Sequence, residues 1–141
     1  MTSSLTVSTT RRGLVDITAQ VTAELAAETA APAPAAAACT LFVPHTTAGL
    51  VLQDTANPEV LRDLQICLDR LVPDTDGTWT EHVSGPQDRT SYLRAMLTRS
   101  SITIPMHSGK LALGDGQGIY LWEHLDRGSQ RSVLFCLHSS T

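Results

Sequence analysis

The chain has 141 residues, 42% of them hydrophobic and 17% charged, with a formal net charge of −4. That length suits one domain spanning residues 1–141, with a core that needs neither disulfides nor metal staples. The acidic balance argues against a nucleic-acid platform, which shows a basic patch or stripe.

In chain order, "SLTVSTT" alternates apolar and hydroxyl residues, as a half-buried strand does. Asp16 then caps a predicted helix with Ile17, Val21 and Leu25 on one face. The segment "AAETAAPAPAAAAC" consists of small residues broken by two prolines, too short and too weakly apolar to span a bilayer; it reads as a loop. The N-terminus lacks a basic region followed by an apolar one, so no secretory signal is read there. "ACTLFV" reads as a buried strand ending at Pro44. The clearest helix follows, with Asn57 at its N-cap, Pro58 at its first position, and an apolar stripe of Leu61, Leu64, Leu68 and Leu71; Pro73 ends it.

Residues 73–90 read as a long polar loop containing Trp79 and His82, and loops of that length in small domains tend to carry function. "TSYLRAMLTR" reads as a third helix and "SITIP" as a strand. A hairpin turn is predicted at Ser108–Gly109, followed by an edge-to-strand run and a closing strand, "RSVLFCLH". These elements predict an α+β fold, a mostly antiparallel sheet packed with two or three helices.

Five histidines carry the chemistry worth testing: His45, His82, His107, His124 and His138. None stands at HxxH, HExxH or His-x-His spacing, so any metal site must be assembled from distant segments, with His45 and His82 the natural pair. Cys39, Cys67 and Cys136 form no CxxC pair, which fits a reducing cytoplasm better than a disulfide framework. Cys136 and His138 share one strand face, an arrangement open to a nucleophile and base but commoner as packing. "GDGQG" lacks the Lys-Ser/Thr of a phosphate loop and reads as tight turns. Arg127 and Arg131 flank the last loop with geometry suited to a phosphate, or to solvent. Glu123 ends an apolar strand, an unusual place for a carboxylate. A small-molecule site of His45, His82 and Glu123 is the reading the residues support.

The motifs "FVPHTTAGLVLQDTANPEVLRDL", "LDRLVPD", the His82 segment and "RAMLTRSSITIPMHSGKLALGDGQGIYLWEHLDRGSQRSV" together resemble the YjbQ (UPF0047) family from about residue 5 to residue 138. The resemblance implies a compact α+β fold, a homotrimer with clefts near subunit contacts, and a weak thiamine-phosphate synthase activity. That transferase joins a hydroxymethylpyrimidine diphosphate to a thiazole phosphate with loss of pyrophosphate. Carried onto this sequence as a divergent member, the reading takes His45, His82, Tyr92 and Glu123 as catalytic residues, and Thr46, Thr47, Asp54, Asp115, Gln117 and Arg131 as substrate-binding ones. A divalent metal, zinc or magnesium, would sit on His45 and His82.

Three segments depart from the family pattern. Tyr92 stands where a histidine is usual, Asp54 where a glutamate is expected, and Asp115–Gly116 replace Thr-Trp. A phenol must lose its proton from a pKa near 10 to bind metal, so affinity should fall. A divergent enzyme acting on a small phosphorylated or heteroaromatic substrate, recruited to a biosynthetic pathway, is expected; the alternative is a non-catalytic trimeric binding or structural protein with a decayed site.

Overall fold

A computed structural model describes residues 2–30, 35–75, 79–80 and 86–140, with the backbone alone for 86–88. The chain order is β1 (Thr2–Thr9), β2 (Gly13–Asp16), α1 (Thr18–Glu28), β3 (Ala36–Phe42), β4 (Ala48–Asp54), α2 (Pro58–Leu71), α3 (Pro86–Leu97), β5 (Ser101–His107), β6 (Lys110–Leu111), β7 (Gln117–Glu123) and β8 (Ser129–Ser139). The fold is α+β, as predicted, and every strand pairing is antiparallel.

The strands divide into two sheets. One has the order β1-β8-β3-β5-β6 and the other β2-β7-β4. Strand alternation explains how they pack. On β1, Leu5, Val7 and Thr9 share the buried phase; on β8, Arg131, Val133 and Phe135 do. These residues meet Ala48, Leu50, Ile119 and Leu121 of the smaller sheet, and Ile17, Val21 and Leu25 of α1 complete the main core. The other face of the smaller sheet holds Trp122, which packs with Leu68 and Val72 at the end of α2 and with Leu93 of α3. β7 is therefore covered on both sides, and Gly118 through Glu123 are all buried.

Several sequence expectations change in detail. The strand predicted as an edge-to-strand run is β7, the middle strand of its sheet. β2 and β4 fall outside the predicted elements, because one is only four residues long and the other follows a polar His-Thr-Thr turn that masks its start. Asn57 occupies the N-cap of α2 but makes no capping bond with its side chain. Asp54 instead closes the turn that leads into the helix: its Oδ1 accepts from the backbone N–H groups of Ala56 at 2.6 Å and Asn57 at 2.9 Å. Leu71 is 64% exposed rather than part of the buried stripe. Four residues beyond Leu68 the inward position falls on Val72, which is buried in its place. α3 starts at Pro86, so the polar loop is shorter than predicted.

The turns follow their chemistry. Ser108 and Gly109 both have positive φ, 51° and 75°, the signature of a two-residue type I′ hairpin between β5 and β6. Gly49 is required for another reason: a Cβ there would lie 2.1 Å from Thr98 Oγ1, so only glycine lets the end of α3 seat on β4.

Candidate active site at the C-terminal end of β7

Alternation along β7 sends Ile119, Leu121 and Glu123 toward the main core, while Trp122 and His124 take the opposite phase. Glu123 thus enters an apolar interior, and burying a carboxylate there is costly unless it is paired and hydrogen-bonded. It is both. Arg131, inward-facing on β8, donates Nε–H to Glu123 Oε1 at 2.9 Å and Nη2–H to Oε2. Thr9 Oγ1 donates to Oε1 at 2.7 Å, and the backbone N–H of Leu125 to Oε2 at 3.2 Å. Both carboxylate oxygens are filled, so Glu123 orients its neighbours and takes no proton from a ligand in this arrangement.

Arg131, itself buried, reaches on past the carboxylate. Its Nη2 also donates to Thr47 Oγ1 at 2.8 Å and to Thr47 O at 3.2 Å, while Nη1 makes no hydrogen bond among the described residues. His45 follows the end of β3, where Pro44 stops the strand from continuing along β8. The ladder ends at Phe42↔Leu134, and the next β8 amide on that side, Ser132 N–H, donates to His45 Nε2 at 2.9 Å. The imidazole thereby accepts the bond that a strand carbonyl would have accepted. Its pKa is lowered from 6.5, first by burial and then by the Arg131 charge, against an opposing pull from Glu123. Accepting at Nε2 in the neutral state places the ring proton on Nδ1, which makes no hydrogen bond among the described residues.

The structure brings His45, Thr47, Glu123 and Arg131 to one corner and places the other candidates elsewhere. Antiparallel pairing of β4 with β7 puts Ala48 opposite Glu123 and Asp54 opposite Gln117. Six residues of strand separate those two ends, about 20 Å. Asp54 and Gln117 line a shallow cleft of about 420 Å³ with Asp115, far from His45 within the chain. There Gln117 Oε1 accepts from Gly114 N–H at 2.9 Å, closing the tight turn read in "GDGQG". Thr46 is exposed, and Tyr92 is 40% exposed on α3. His82 lies outside the described residues. Arg127 is exposed. Cys136 and His138 do not form a pair: His138 Nε2 is 2.8 Å from Thr40 Oγ1, while the Cys136 thiol approaches the carbonyl of Leu137.

Sequence reasoning missed the second buried polar cluster, on the helix side of β7. His124 is fully buried, with Nε2 3.1 Å from Thr98 Oγ1 and its ring against Trp122, centroids 5.7 Å apart. Arg12 Nε donates to His124 O and Nη1 pairs with Asp74 at 2.9 Å. Asp74 also accepts from Thr90. Arg94, 1% exposed, pairs with Asp69 and donates to Val72 O. Thr9 was missed as well, although a hydroxyl on the inward phase of an alternating strand was a usable signal.

A metal would need ligands with free lone pairs. Among the described residues no three His, Cys, Asp or Glu side chains stand together as a metal site requires, and Nε2 of His45 is already committed to Ser132. The described donor set does not fit a metal centre. Among those residues, too, no helix is long and apolar enough to cross a membrane.

The model of the family described as "UPF0047 protein YjbQ-like" matches residues 3–139. The chain belongs to that family. Its relatives include the Synechocystis UPF0047 protein sll1880, 43% identical over 96 residues, 68% of this chain and 65% of that protein's length. The UPF0047 protein YugU of Bacillus subtilis is 32% identical over 124 residues, 87% of this chain and 89% of that one. Among solved structures, the conserved hypothetical protein TT1486 of Thermus thermophilus superposes with a TM-score of 0.81 at 32% identity, covering 96% of this chain and 98% of the other. The hypothetical protein APE1520 of Aeropyrum pernix gives 0.84 at 26% identity, covering 99% of both chains.

Proposed function

We propose that this family member is an enzyme whose reaction centre is the corner formed by His45, Thr47 and Arg131, with Glu123 as the buried residue that positions Arg131. It acts on a small phosphorylated or heteroaromatic substrate, in a cytoplasmic setting and as a homotrimer. The observation that carries this reading is the Glu123–Arg131 pair. Desolvating two charges offsets most of their attraction, so such a pair is weak support for stability alone. Here it fixes a guanidinium whose Nη1 makes no hydrogen bond among the described residues, near a histidine whose ring is held by the backbone.

The transferase activity implied by the family resemblance, thiamine-phosphate formation, is expected to be weak in this chain. Tyr92, Asp115 and Gly116 depart together from the family pattern, and Asp115 adds acid beside a cleft with no cation among its lining residues. The test is single-turnover assay of the purified protein with hydroxymethylpyrimidine diphosphate and thiazole phosphate, and then with other small phosphorylated substrates. Turnover abolished by His45→Ala supports the corner as the reaction centre. Full thiamine-phosphate synthase activity would contradict the divergence reading.

One observation favours the non-catalytic alternative: every oxygen of Glu123 is satisfied internally, as in a purely structural buried pair. On that reading the chain is a binding or structural trimer, and His45→Ala changes no measurable activity or phenotype.

A further inference from the structure

We propose that His45 serves as a fixed neutral hydrogen-bond donor, neither a base nor a metal ligand, and that the corner seats an oxyanion, carboxylate or phosphoryl, between His45 Nδ1–H and Arg131 Nη1. The proposal rests on placing the working site at this corner, and it specifies what that site holds and how.

Three observations carry it. The first is the commitment of Nε2. The Ser132 amide is part of a strand and cannot turn away, so Nε2 must keep its lone pair for that 2.9 Å bond. A proton or a metal ion at Nε2 would break the bond and orphan a half-buried backbone N–H. The ring can therefore offer a ligand only its Nδ1–H, a donor. The second is Arg131. Nε and Nη2 are spent on Glu123 and Thr47, leaving Nη1 as the remaining donor of a guanidinium that is 4% exposed. The third is charge. Glu123 offsets the Arg131 cation, but with both its oxygens filled it offers the ligand no acceptor and does not compete for its protons. What these described side chains leave unspent is a pair of donors, with the Thr47 hydroxyl the one acceptor among them. Oxyanions match such a set; cations and hydrogen-bond donors do not.

Two substitutions separate the ring's two nitrogens. In His45→Gln the amide group reaches the Nε2 position, where its oxygen can accept from Ser132, but nothing donates from the Nδ1 position. In His45→Asn an amide N–H stands near Nδ1, and the Ser132 bond is lost. The experiment is calorimetric titration of inorganic phosphate and, separately, acetate into the full chain and both variants at pH 7.5. Wild type and His45→Asn are expected to bind within about threefold of each other, and His45→Gln about tenfold or more weakly, the scale of one lost hydrogen bond. Binding of phosphate alone assigns a phosphoryl group and binding of acetate alone a carboxylate; either supports the proposal. Equal affinity in wild type and His45→Gln overturns it. So does failure of wild type to bind either anion at tens of millimolar, or stoichiometric zinc binding that His45→Ala removes. Anion binding lost in His45→Gln, with no turnover of any substrate, keeps this proposal and sinks the enzyme reading. Turnover that His45→Gln leaves untouched does the reverse.

Discussion

Glu123 and His124 are adjacent in the chain, both fully buried, and point to opposite faces of β7, yet their surroundings differ in kind. On the Glu123 side the polar groups close on one another: four donors fill one carboxylate, and the arginine that supplies two of them is itself held by Thr47. On the His124 side the accounts stay open. Nδ1 of His124 and Nε of Arg94 are buried without a hydrogen-bond partner among the described residues. A closed network in a low-dielectric interior is rigid and can aim a side chain at the surface; an open one stores an unpaired polar cost. That difference supports the proposed site on the Glu123 side of β7 and puts the acid-sensitive part of the fold on the helix side.

The largest effect is expected from breaking the closed network. Glu123→Ala leaves the Arg131 charge buried and unpaired, and should cost about 3–5 kcal/mol in equilibrium urea unfolding. Replacing both partners, Glu123→Leu with Arg131→Met, should recover most of that loss while abolishing anion binding at the corner. A double replacement as unstable as the single one would show that the pair holds the fold by more than its own charges.

Next in size is the pH response of the open network. Burial, and then the charges of Arg94, Arg12 and Arg131, push the His124 pKa down from 6.5 to about 3. A folded-state pKa below the unfolded one means that the unfolded chain takes up the proton first. Stability is therefore full above pH 6.5 and falls as pH drops from there toward 3. Asp74 adds a separate loss at lower pH, because Arg12 and Thr90 hold its carboxyl below the usual 3.8 despite its burial. Urea midpoints measured from pH 7.5 to pH 4 should decline in wild type and clearly less in His124→Leu, where the lowered pKa of His45 still contributes a fall. A level wild-type curve would mean that the ring is not desolvated as described.

Smaller effects distinguish the two sides one bond at a time. Thr9→Val removes a donor to Glu123 and the acceptor for Ser129 N–H at 3.0 Å, and should cost on the order of 1–3 kcal/mol. Thr98→Val removes the partner of His124 Nε2, in a network already open, and a weak bond to Ala95 O at 3.3 Å, and should cost about 1 kcal/mol. The reverse ranking would contradict the contrast between the two sides.

Much of this was legible in the sequence. The period-4 spacing of Ile17, Val21 and Leu25 and the alternation of Leu5 and Val7 read directly as a helix and a strand, and they form the main core. The unusual end of β7 also stood out, because a carboxylate ending an apolar run needs an explanation. What stayed hidden depends on pairings between distant segments. Thr9 meets Glu123 across 114 residues of chain, and Ser132 meets His45 across 87. Nor does any local pattern announce that Asp54 and Gln117 lie at the opposite end of the same ladder from Glu123. That separation follows from the antiparallel register of β4 and β7, and β4 itself began inside a polar turn.

The most direct measurement of the account is the ¹⁵N chemical shifts of the His45 ring across pH 5–8. The expected spectrum shows a neutral ring at pH 7 with its proton on Nδ1, a bare Nε2 coupled to the Ser132 amide, and a titration midpoint below 6.5. A proton on Nε2, or a ring already charged at pH 7, would contradict it.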